Sequence, residues 1–133
     1  MMECVILGDS IAQGVSRNWP QCVHRTRVGI TSEQFVRNMM QPVNNAHVLI
    51  SLGSNDGHAQ TTLQALTQLR SQITHSQVTW LLSSNNTQAA QAAQTVARLN
   101  GDRMISVSAW VGPDRVHPTS GGYHRLSQMW RPQ

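Results

Sequence analysis

Cys4-Val5-Ile6-Leu7-Gly8-Asp9-Ser10 decides how the rest of the chain is read. A continuous apolar run that includes β-branched Val5 and Ile6 predicts a buried strand, and Gly8-Asp9 ends it. Ile11, Ala12 and Val15 then begin a helical period. Strand, turn and helix in that order open a βα unit. In open α/β sheets, ligands bind outside the carboxyl ends of the strands. The Ser10 hydroxyl is thus delivered where such folds do their chemistry.

The same alternation runs to the end of the chain. Apolar runs predict strands near 3–8, 22–28, 47–52, 78–83 and 103–108. Helical patterns lie near 11–17, 32–41, 59–74, 87–100 and 119–130. Leu63, Leu66, Leu69 and Ile73 form one stripe; Ala89, Ala92, Ala93, Val96 and Leu99 form another, closed by Asn100-Gly101 as a helix C-terminus. Thr31 and Gln34 have capping-box spacing, and Thr119 or Ser120 is placed to cap the last helix. Continuous Val/Ile/Leu strands alternating with helices imply a parallel sheet covered on both faces. The expected fold is therefore three-layer α/β/α, a five-stranded parallel sheet in the flavodoxin-like order 2-1-3-4-5. A length of 133 residues suits one core, hence a single domain over residues 1–133. There is no internal repeat, and the Gln/Ala-rich stretch from Gln88 to Gln94 reads as helix surface.

Composition narrows the function classes. Apolar residues make up 39% of the chain, enough for a packed globule. All ten cations are arginine, giving a net charge of +4. They are scattered, without a basic run or a nucleic-acid motif, so no nucleic-acid partner is expected. Cys4 and Cys22 have neither zinc spacing nor a CxxC pattern; they read as two buried free thiols, with a disulfide between neighbouring strands as the alternative. His24, His47, His75 and His124 show no ligand spacing, so neither metal nor cofactor is expected. The chain opens Met1-Met2-Glu3 without a basic start and long apolar stretch, and no segment reaches membrane-spanning length. The expectation is a cytoplasmic protein without an integral membrane segment, with a part of a larger or secreted assembly as the alternative.

The chemistry lies in residues that follow predicted strands. Ser10 follows the first and Gly29 the second. Asn55 follows the third, within Leu52-Gly53-Ser54-Asn55-Asp56, and Asp114-Arg115-Val116-His117-Pro118 follows the fifth. Parallel strands bring these ends to one edge. A serine hydroxyl is a weak nucleophile until a base removes its proton. His117 is the expected base, and Asp114 the acid that fixes its tautomer. Asp9 and Asp56 read as structural carboxylates. His58 either lines the mouth of the site or is a solvated loop residue. Trp80, Trp110 and the Met39-Met40 pair read as packing, and Trp19 and Trp130 as exposed, with Trp19-Pro20 a candidate flank of the acyl site.

With these residues in view, the chain resembles the SGNH hydrolases, or GDSL esterase/lipase family. Gly8-Asp9-Ser10-Ile11 matches the nucleophile block and Gly29 the glycine block. Gly53-Ser54-Asn55-Asp56 matches the G-x-N-D block, and Asp114-x-x-His117-Pro118 the closing D-x-x-H block. The blocks appear in order over nearly the whole chain. The resemblance implies an oxyanion hole made by the Ser10 and Gly29 backbone N–H groups and the Asn55 side-chain amide. It also implies an ester hydrolase, in a family that includes carbohydrate deacetylases, thioesterases and lysophospholipases. Short connections after strands 1, 3 and 4 leave little material for a lid, so the expected substrates are small, acetyl-type esters, possibly carried on carbohydrate. The rival class is a non-catalytic glycan-binding or virion-associated module that keeps the fold.

Overall fold

The computed structural model of the protein describes residues 3–132; Met1 and Met2, the opening of the chain, lie outside the described residues. Five strands and five helices alternate: β1 (Cys4–Gly8), α1 (Ser10–Ser16), β2 (Val23–Thr26), α2 (Ser32–Asn38), β3 (His47–Ser51), α3 (Ala59–Ser71), β4 (Gln77–Leu82), α4 (Thr87–Asn100), β5 (Arg103–Ser106) and α5 (Ser120–Met129). The sheet is parallel throughout, in the order β2-β1-β3-β4-β5. The expected three-layer architecture is the observed one.

Strand periodicity explains the layers. Successive side chains leave opposite faces of a strand. Val5, Leu7, Val48, Ile50, Val78 and Trp80 pack on one face with residues of α2, α3 and α4. Cys4, Ile6, Leu49, Leu81 and Ile105 pack on the other, with residues of α1 and α5. The chain reverses its direction of travel across the sheet between β1 and β3, which makes their carboxyl ends the switch-point crevice. Ser10 and the loop carrying Asn55 both leave the sheet there.

The helix ends follow the residue types that set them. Thr31 and Gln34 form the capping box of α2, Thr119 caps α5, and Gly101 closes α4 in the left-handed region at φ 69°. The last turn of α5 packs Trp130 into the core at 2% exposure, contrary to its expected position on the surface. Trp19 meets it edge-on and donates to the Ser127 carbonyl, so it belongs beyond the far end of α1 from Ser10 and does not flank the acyl site. Strand β5 stops at Ser106, short of its expected end, and a 3₁₀ turn at Ser108–Trp110 leads into the next loop.

Both helical stripes are rotated from the expected ones. Leu99 is 81% exposed and Leu63 38% exposed, while Ala97 and Ala65 are buried. At 100° per residue, Leu63 stands about 110° and Leu99 about 90° from the centre of its helix's buried face. Small alanines let α3 and α4 lie close to the sheet, and hydrophobicity alone does not reveal that preference.

The cysteines pair. Cys4 and Cys22 form a disulfide with a Cα–Cα distance of 4.9 Å, correcting the expectation of free thiols. The register that pairs Val5 with Val23 brings the preceding residue of each strand together. No sequence spacing encodes that register.

Candidate active site

Gly8 makes the turn out of β1. Its φ of 140° lies where L-residues are strained, and a Cβ there would come within 1.8 Å of the Ser51 carbonyl oxygen. That approach lets the Asp9 N–H donate to Ser51 O at 3.0 Å, holding the end of β1 against β3. Ser10 is consequently the first residue of α1, its backbone N–H among the donors that a helix start leaves without an intrahelical partner.

Asp9 is buried behind the serine. Its carboxylate accepts from the Ile11 and Ala12 N–H groups and from the Ser51 and Ser54 hydroxyls. Burial raises its pKa above the ordinary value of 3.8, against the opposing pull of these hydrogen bonds. It caps α1 and ties the Ser54 loop to the serine's own turn, as expected of a structural carboxylate.

Ser10 Oγ lies 2.8 Å from His117 Nε2, and His117 Nδ1 lies 2.8 Å from Asp114 Oδ2. Residues 107 positions apart in sequence thus share one hydrogen-bonded line. The loop supplying the imidazole is tightly built. Asp114 Oδ1 accepts from the Val116 and His117 N–H groups, Gly112 N–H donates to His117 O, and Val111 bridges Pro118. These bonds hold Asp114 in the turn that faces its own histidine. Its pKa is lowered to about 2, first by the hydrogen bond from His117 and then by the two backbone N–H groups. An ionised partner at Nδ1 keeps the proton there and leaves Nε2 as the acceptor toward Ser10.

Gly29 and Asn55 face the same rim from the next two loops. Gly29 has φ 80°, and a Cβ at its position would meet nothing within 4 Å, so its backbone borders open space. The Arg27 N–H donates to Gly8 O, which fastens this loop to the end of β1. Asn55 Nδ2 donates to Ile30 O at 3.0 Å, joining the Asn55 loop to the Gly29 loop. One of its two amide hydrogens is used there, and the other is free to serve a ligand.

Two supports of this rim were not singled out from the sequence. Asn86 caps α4 through Oδ1 and donates through Nδ2 to both Gly53 O and Asp56 O; Asn85 donates to Ser54 O. Their signal was Ser83-Ser84-Asn85-Asn86 before a helical run, legible as an N-cap but not as a clamp on a distant loop. Asp56 accepts from Ser32 N–H and the Thr62 hydroxyl, which settles it as structural. His124 faces Gln128 and shares no hydrogen bond with the Ser10–His117 line. Among the described residues, no group of three or more His, Cys, Asp or Glu side chains has the arrangement of a metal site.

No protein-family model and no curated protein matches the chain. Among solved structures, phospholipase A1 from Streptomyces albidoflavus NA297 is similar, with a TM-score of 0.66 over 93% of this chain and 95% of that one. Sequence identity is 14%, so the likeness is one of fold.

Proposed function

We propose that the chain is a serine hydrolase of carboxylic esters, of the SGNH type. The observation that carries this reading is the unbroken pair of 2.8 Å contacts from Ser10 Oγ through the His117 ring to Asp114. Ser10 Oγ attacks the ester carbonyl while its proton passes to His117 Nε2. The tetrahedral oxyanion takes hydrogen bonds from the Ser10 and Gly29 N–H groups and the second Asn55 amide hydrogen. Collapse breaks the bond to the alcohol, which leaves with the proton from Nε2. Water, deprotonated by the same nitrogen, then releases the acid and restores Ser10. None of these steps draws on a metal or cofactor.

Short acyl groups, acetyl above all, are the preferred substrates in this reading. The side chains of His117 and Asp114 are 47% and 52% exposed, a shallow setting that offers a long chain little to bury against. The fold's likeness to a phospholipase A1 is the reason to keep lipid ester hydrolysis as the second reading.

A fluorophosphonate probe tests the nucleophile: it should label Ser10 in the wild type and leave Ser10→Ala unlabelled. Folded wild-type protein that resists labelling would return the chain to the binding-module class. Rates on p-nitrophenyl acetate and octanoate then separate the substrate readings, acetate being expected to be faster.

A further inference from the structure

Gly14 stands one turn after Ser10 on α1, so both present the same face of the helix. Glycine inside a helix is unfavourable relative to alanine, and this one is buried, so its reason lies in packing. A Cβ at Gly14 would come within 2.2 Å of Tyr123 Cε1, 2.4 Å of Cζ and 2.9 Å of Cδ1. One edge of the Tyr123 ring thus occupies the space that a methyl group would fill.

Tyr123 belongs to the other half of the proposed site. It closes the first turn of α5, its N–H donating to Thr119 O, and Thr119 follows His117 by two residues. The Thr119 N–H donates in turn to Trp110 O, and the Gly112 N–H to His117 O, so the loop carrying His117 and the start of α5 form one piece. Gly122 seats that piece closely: a Cβ there would come within 2.6 Å of Trp110 O and 3.2 Å of Pro118 Cβ.

The ring therefore stands between the helix that carries Ser10 and the piece that carries His117. It is half-buried and packs against the core that α1 and α5 share. Burial, and after it the charge of Asp9, pushes the Tyr123 hydroxyl above its ordinary pKa of 10.0; Arg17 opposes this and Asp114 adds to it. The tip of the ring is thus in electrostatic reach of the carboxylate behind Ser10 and of the one behind His117. Its hydroxyl shares no hydrogen bond with any described residue, so shape is what the side chain supplies.

We propose that Gly14 and Tyr123 are positioning residues: the ring, seated in the notch at Gly14, sets the spacing of α1 from α5 and so holds Ser10 Oγ at 2.8 Å from His117 Nε2. The inference rests on the hydrolase reading above. Neither residue takes part in proton transfer. Carbon atoms pack at about 3.5–4.0 Å, so a methyl group at Gly14 is accommodated only by about 1 Å of movement or more. A misplacement of about 1 Å costs on the order of 10² in rate.

The test measures kcat and KM on p-nitrophenyl acetate and the rate of fluorophosphonate labelling, all well below each variant's melting transition. Gly14→Ala overfills the notch; Tyr123→Leu, which lacks the ring carbons nearest Gly14, empties it. In either, kcat and the labelling rate should fall by about tenfold to a hundredfold, with KM little changed. Tyr123→Phe keeps the ring and should retain most of kcat. Gly14→Ala combined with Tyr123→Leu relieves the clash and should be more active than Gly14→Ala alone, whereas two unrelated losses would multiply. Should Gly14→Ala not fold, the two Tyr123 variants decide: equal kcat in Tyr123→Leu and Tyr123→Phe, at any level, overturns the spacer, as does a loss confined to KM. Wild-type protein that neither hydrolyses p-nitrophenyl acetate nor labels at Ser10 overturns the hydrolase reading and the spacer with it.

Discussion

At the scale of single residues, the rim depends on donors and acceptors placed before a substrate arrives. Asn55 is held by Ile30 O on one side, and the Asn86 amide fastens the loop on either side of it. Asn55→Ala should therefore remove one prearranged donor and the bond to Ile30 O, while the Asn86 amide still holds the loop. The expected loss is about 10²–10³ in kcat on p-nitrophenyl acetate, with KM little changed; a loss confined to KM would remove Asn55 from this role. Asp114 bears on the acid limit of the pH dependence. Its pKa is lowered from 3.8 to about 2, so its carboxylate stays charged through the range in which esterases are assayed. The stabilisation this shift represents is complete above the unfolded value and is lost as pH falls toward 2. Asp114 should thus add no proton step to the kcat/KM profile down to pH 4. A carboxylate step near pH 4 that Asp114→Asn removes would mean that Asp114 is not held as described. Ser10, His117 and Asp114 were legible in the sequence because reactive residue types followed predicted strands. The clamp by Asn86 was not, because a cap signature gives the helix that it starts and not the carbonyls across the loop.

At the scale of elements, the sheet order and nearly every helix could be read, since long apolar strands and helical periods leave few alternatives. The rotation of α3 and α4 could not. A buried ion pair shows what does orient them. Arg70, in the last turn of α3, makes two hydrogen bonds to Asp102, which follows α4, and Asp102 also accepts from the Trp80 indole N–H on β4. The Asp102 side chain is only 4% exposed. One carboxylate thereby ties the ends of two helices to β4. Asp102→Ala would leave a largely buried guanidinium and an indole donor unpaired, a cost of about 3–5 kcal/mol. Urea denaturation measures it, and a loss under about 1 kcal/mol would show that the cluster does not hold α3 and α4 in place.

Across the whole molecule, the two ends of the sheet do separate work. The carboxyl ends carry the open rim, with five loops joined by hydrogen bonds. The amino ends carry the Cys4–Cys22 bond, which ties the edge strand β2 to β1. Strand β2 has only four residues and pairs on one side alone, so it is, like β5, among the strands most readily lost, and Gly29 departs with it. Closing a loop of this size by a disulfide stabilises a small domain by about 3 kcal/mol, largely through the unfolded chain. Cys4→Ala with Cys22→Ala should lower stability by that order and reduce the melting temperature. Ester turnover well below the new transition should stay within about twofold of the wild type, because the bond lies a full strand length from Ser10. Disulfides persist in oxidising compartments and are rare in the cytosol, so this bond should respond to the redox conditions of the assay. Dithiothreitol should reproduce the stability loss in the wild type and leave the double variant unaffected. Equal melting temperatures with and without reductant would show that the pair contributes nothing to holding β2 in the sheet.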